Sequence, residues 1–323
     1  MTAMIPQLTM PWPQARQIVD PQAIPRRPDA HPDQRLGVND FCLVQDRQSR
    51  WHCMGILSDE GNRTLFHAVS DTLQGDYRFL ERIGSGAADD GPADMWAPFV
   101  TWAGQDEAFL FYAHLPRRED GSAPDVTLRR LSSDGNLARW APHLFAGEKD
   151  NIVFREPHVR DPQVFWDDAL ACYLLYYVIG DGWVDPEAGN VVRVRTSTDL
   201  RTWSAPRTVL APPPGYRAAE SIFVQVRDGL YYMWVCGFDY GRMSLYVSDN
   251  PFCFGDPVDN RMVETTGHAP EIVTIDGVDW MACVSISSQA GLPPAMHDLP
   301  GVWIQPLEWR PMSDDETQRV YRG

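Results

Sequence analysis

The chain has 323 residues, with 28 Lys and Arg against 44 Asp and Glu, a formal net charge of −16 with histidine neutral. That surplus argues against nucleic acid as a main partner, because neutralising phosphates requires an excess of basic side chains. Hydrophobic residues at 44% and charged residues at 22% supply a full core and leave no room for an intrinsically disordered chain.

No stretch approaches the roughly 18 to 20 apolar residues needed to span a bilayer, and Met1 to Arg27 lacks the basic and apolar regions of a secretory signal. The expectation is a cytoplasmic protein with no membrane partner. Cys42, Cys53, Cys172, Cys236, Cys253 and Cys283 stand singly, without zinc-like spacing, and read as reduced structural thiols.

Along the chain, residues 1–35 form a Pro-rich N-terminal extension, with Pro21, Pro25, Pro28 and Pro32, that drapes over the outside or closes the fold. From residue 36 to 312, apolar or aromatic runs of about four to eight residues alternate with Gly, Asp, Asn, Pro and Ser clusters, the signature of an all-β chain. Residues 313–323 are a C-terminal tail.

One pattern repeats: a short opening with a polar residue, a strand, a turn and a second aromatic strand. The openings are Asn39-Asp40-Phe41, Trp96-Ala97-Pro98, Arg160-Asp161-Pro162, Glu220-Ser221-Ile222 and His268-Ala269-Pro270. Their spacing of roughly 50 to 65 residues matches one four-stranded blade with its loops, so the chain is expected to be a single-domain five-bladed β-propeller. Blade openings of a propeller converge at one end of its axis, which would gather Asp40, Asp161 and Glu220 into one pocket.

These residues resemble the five-bladed propeller glycosidases of glycoside hydrolase families 32, 43, 62 and 68. The carrying motifs are Asn39-Asp40, Arg160-Asp161-Pro162, Glu220-Ser221 and Gly267-His268-Ala269-Pro270, supported by Trp96-Ala97-Pro98 and Ser197-Thr198-Asp199-Leu200-Arg201-Thr202-Trp203. The resemblance covers about residues 36 to 310. It implies Asp40 as nucleophile or general base, Glu220 as general acid, and Asp161 as the group that tunes the acid and holds sugar hydroxyls. Glycoside cleavage needs such a pair, one carboxylic acid donating to the leaving oxygen and one carboxylate on the opposite sugar face.

Trp96 is expected as a platform for the sugar ring, with Asn39, Arg160, Trp183, Tyr240 and His268 as further substrate contacts. Trp166, Trp203, Trp234 and Trp280 read as blade-packing residues, and His52 as pocket wall or core. No cofactor is expected, and the resemblance allows a structural cation beside His268. Phe41 stands where fructan-cleaving members carry Pro and Ser221 where they carry Cys, and the residues after Met312 leave no space for their C-terminal β-sandwich. The substrate class implied is a furanoside, either a β-fructofuranoside or an arabinofuranoside. Two alternatives stay open: a glycoside phosphorylase using Arg160, Arg217 or Arg242, and a non-catalytic carbohydrate-binding propeller.

Overall fold

The computed structural model describes residues 3–26, 36–57, 64–84, 93–116, 126–180, 189–211, 219–237, 242–284 and 299–320. Strands β1 (Met4–Leu8) and β2 (Arg16–Val19) precede the first four-stranded sheet, β3 (Val38–Gln45), β4 (Trp51–Leu57), β5 (Leu65–Ser70) and β6 (Arg78–Ile83). The second sheet contains β7 (Ala93–Trp102), β8 (Glu107–Pro116), β9 (Thr127–Asp134), β10 (Ala141–Pro142) and β11 (Ile152–Arg155). The third runs β12 (Arg160–Asp167), β13 (Cys172–Ile179), β14 (Val191–Ser197) and β15 (Arg207–Leu210). The fourth is β16 (Glu220–Arg227), β17 (Leu230–Cys236), β18 (Arg242–Ser248) and β19 (Arg261–Thr266). The fifth joins β20 (His268–Ile275), β21 (Val278–Val284) and β22 (Val302–Pro311) to β1, with β2 also paired to β22; helix α1 (Asp314–Val320) follows.

Two compact units divide these sheets: residues 19–179 with 195–205, and residues 1–18, 180–194 and 206–323. In the first unit, β8 explains the packing. Its residues Ala108, Leu110 and Tyr112 join an apolar cluster with Met54, Ile56 and Val100, while Phe109, Phe111 and Ala113 join a second cluster with Val164, Leu175 and Tyr177. Successive side chains of a strand face opposite ways, so a strand with neighbours on both sides must be apolar at every position. Central strands β4 and β17 are buried along all seven residues, whereas the outer strand β6 alternates with solvent. The aromatic second strands of the repeat are thus the inner layer of each sheet.

In the second unit, β1 runs antiparallel to β22, with Met4 opposite Pro311 and Leu8 opposite Leu307. Trp12 is buried and its indole N–H donates to the Thr266 carbonyl at 2.7 Å. The Tyr232 hydroxyl donates to the Met4 carbonyl at 2.7 Å, which ties this N-terminal strand to the fourth sheet as well.

Candidate active site

Every opening expected from the repeat lies at or within four residues of the start of the first strand of a sheet, and each carries a β-bulge. The register slips between Trp96 and Phe99, Arg160 and Gln163, Glu220 and Phe223, and His268 and Glu271. The second residue of each bulge is left-handed: φ is 46° at Ala97, 54° at Asp161, 46° at Ser221 and 48° at Ala269. Pro98, Pro162 and Pro270 follow three of them, as proline tolerates a bulge, where the ladder asks for no N–H. Bulges re-aim side chains at the rim of a sheet, and here they act on the residues singled out by sequence.

In the first sheet the register slips between Asn39 and Phe41, so Asp40 is the extra residue. The Asn39 amide donates to Asp40 Oδ2 at 3.4 Å. Gly55 lies opposite Phe41, and a Cβ there would stand 2.7 Å from Phe41 Cβ and 3.1 Å from the Asp40 carbonyl oxygen. Only a residue without a side chain lets the chain bearing Asp40 approach this closely.

Also in the first unit, β7 and β12 are neighbours, as are β3 and β7. Arg160 and Asp161 are both buried, with Arg160 Nε 3.7 Å from Asp161 Oδ2 and Arg160 Nη1 donating to the His158 carbonyl at 3.2 Å. Trp96 is half-buried and packs against both apolar clusters, and its indole Nε1 has no hydrogen-bond partner among the described residues. In the second unit, Glu220 and His268 are buried on neighbouring strands, and Ser221 Oγ lies 3.2 Å from His268 Nε2.

Cys236, opposite Glu220, links the two bulges: its Sγ accepts from the Ala269 N–H at 3.2 Å and donates to the Ser221 carbonyl at 3.7 Å. Burial pushes its thiol pKa up, Glu220 adds to the rise, and His268 opposes it. Sequence reading missed this Ser221–His268–Cys236 link.

Trp183, Tyr240 and Arg217 lie outside the described residues. Arg242 is exposed and its Nη1 pairs with Glu264 Oε1 at 2.6 Å. Among the described residues no group of three or more His, Cys, Asp or Glu side chains is arranged to hold a metal, and His268 Nε2 is directed at a serine hydroxyl.

One expectation changes. Trp166, read as a packing residue, is 44% exposed at the far end of β12. The supporting motif around Asp199 serves a turn: Asp199 Oδ1 accepts from the Arg201 and Thr202 N–H groups at 2.9 and 2.7 Å, bonds that hold its pKa below the ordinary carboxylate value. His52 is buried within the first sheet, where its Nε2 lies 3.1 Å from Asp46 Oδ2 and its Nδ1 lies 2.7 Å from His67 Nε2.

No family model matches the chain, and no curated protein matches it. Solved structures do. A thermostable family-43 glycoside hydrolase aligns over 88% of this chain and 94% of its own, with TM-score 0.62 at 16% identity. The chain has the five-bladed β-propeller fold. A β-xylosidase/α-arabinofuranosidase from a compost microbial metagenome, solved with xylotriose, covers 88% of this chain and 95% of its own, at TM-score 0.59 and 16% identity. An N-acetylgalactosamine deacetylase from F. plautii, in complex with blood group B trisaccharide, covers 95% of this chain and 96% of its own, at TM-score 0.60 and 12% identity. At these identities the likeness establishes the propeller, and activity must be argued from the residues.

Proposed function

We propose that the chain is a glycoside hydrolase acting on a furanoside, an arabinofuranoside or a β-fructofuranoside. In this reading Glu220 donates its proton to the leaving oxygen as the glycosidic bond breaks. Asp40 either attacks the anomeric carbon or takes a proton from the attacking water, and Asp161 tunes Glu220 and holds sugar hydroxyls.

The observation that carries the reading is the common bulge of the third and fourth sheets, which keeps an acid, Asp161 or Glu220, buried at a strand opening. Burying a carboxylate among apolar strands costs stability, so keeping one in the opening bulge of two sheets, Glu220 just before the left-handed residue and Asp161 at it, favours chemistry over packing. The names of the structural neighbours support a carbohydrate ligand, since one was solved with xylotriose and another with a trisaccharide. Arg242, paired with Glu264, is a poor candidate for the phosphate site that a phosphorylase would need.

The test is hydrolysis of aryl α-arabinofuranoside, β-xyloside and β-fructofuranoside, with and without phosphate. Turnover of a furanoside by the unmodified protein, falling on the order of 10²- to 10⁴-fold in D40N and E220Q, supports the reading. Turnover unchanged in both variants, or none on any of the three, overturns it. A sugar phosphate formed on adding phosphate would move the assignment to a phosphorylase.

A further inference from the structure

Trp166 and Tyr173 are direct partners across the β12–β13 hairpin, their rings 4.9 Å apart and tilted by 72°. Six residues of strand separate Trp166 from Arg160, about 20 Å at the usual rise, so this pair lies well away from the candidate active-site residues of the same strand. The indole N–H of Trp166 donates to Asp168 Oδ1 at 3.0 Å, and the Tyr173 hydroxyl donates to the Trp102 carbonyl at 3.4 Å. Leu170, in the same turn, is 41% exposed.

A hairpin staple accounts for part of this, since a cross-strand aromatic pair contributes roughly 0.2–1 kcal/mol. It does not account for a large ring that is held in place at its N–H yet stays open to solvent. A side chain fixed in advance loses little freedom when a ligand settles on it. Asp168 is exposed and spends Oδ1 on the indole, which leaves Oδ2 at the ring edge to accept from a ligand hydroxyl.

The charge of the chain and the two acids of the turn, Asp167 and Asp168, turn polyanions away. A neutral polyhydroxylated ring fits instead, its C–H face on the indole and a hydroxyl on the carboxylate. We propose that Trp166, Tyr173 and Asp168 form a surface platform for a neutral polysaccharide chain, separate from the candidate active site. The choice of a glycan rests on the hydrolase reading.

Native gel electrophoresis through arabinan, arabinoxylan or levan tests the platform, using the full chain and the variants W166A, D168A and D40N. At least one polysaccharide should retard the unmodified protein and D40N alike. W166A should run as in a polysaccharide-free gel while still hydrolysing aryl glycosides at the unmodified rate, and D168A should be retarded several-fold less. Absence of retardation for the unmodified protein, or equal retardation of W166A, overturns the proposal. Should W166A fail to fold, as judged by circular dichroism, unchanged retardation of D168A overturns it instead. Trp166-dependent retardation without any hydrolysis would sink the hydrolase reading and leave the platform standing.

Discussion

Ser221 Oγ and His268 Nε2 meet at 3.2 Å, each beside the left-handed residue or in the bulge that opens its own sheet. The hydrogen bond ties β16, which begins at Glu220, to β20, and the Cys236 thiol reinforces it from beneath.

Ser221 therefore carries two opposed effects, a left-handed backbone that disfavours any side chain and a hydrogen bond that needs one. S221A keeps the strain and loses the bond, worth about 1 kcal/mol. S221G loses the same bond but relaxes the backbone. Urea unfolding should rank the unmodified protein first, S221G second and S221A last; S221A at or above S221G would contradict this account.

Asp161 sits at the equivalent left-handed position of the third sheet, where Asn is accommodated at less cost than Ala, although Ala97 and Ala269 hold the same conformation in the second and fifth sheets. D161N keeps a residue that accepts the left-handed backbone but removes the charge facing buried Arg160, so its urea midpoint should fall, and kcat should drop by on the order of 10²-fold. D161A should lose about 1 kcal/mol more stability than D161N. Equal stability of the two would show that the backbone at residue 161 is unstrained.

Gly55 tests the first sheet. G55A places a methyl 2.7 Å from Phe41 Cβ and 2.9 Å from Phe66 Cε1, so β3 must shift where it carries Asp40. Overpacking of this kind costs about 1–3 kcal/mol, and activity should fall further than the fraction of folded protein does. Thermal melts and initial rates on one preparation separate the two losses.

The buried histidines set a pH dependence. Burial pushes the pKa of His52 down to about 4 from 6.5, with Asp46 opposing the shift and the charges of His67 and Arg50 adding to it. The carboxylate of Asp46 resists its own burial through bonds from Arg50, His52 and Gln48 that hold its pKa low, and Glu81 flanks His67 at 3.7 Å. The unfolded chain binds a proton at His52 below about pH 6.5 while the folded chain stays neutral until about pH 4. The stability this histidine contributes is thus complete above pH 6.5 and is lost as pH falls towards 4, by a few kcal/mol in all. H52Q should flatten the difference between urea midpoints at pH 7 and pH 5. An unaltered difference in H52Q would place the acid sensitivity elsewhere.

The sheets were legible because each repeat pairs a polar opening with an aromatic run, and the five openings are the first residues, or nearly so, of β3, β7, β12, β16 and β20. The left-handed bulge residues were visible only as a recurring offset, since Ala97, Ser221 and Ala269 give no propensity signal for positive φ. Trp166 was misread for a physical reason: an aromatic residue in strand alternation looks the same whether a neighbouring sheet covers its face or the strand has run past that neighbour's edge. The Ser221–His268 bond was illegible because it depends on how two sheets pack, which no local pattern encodes.

The antiparallel pairing of β1 with β22 joins Gln7 to Glu308 across 301 residues of chain. Loop-closure entropy makes contacts of such range slow to form. During synthesis on the ribosome, β1 must wait as an unpaired edge until β22 has emerged.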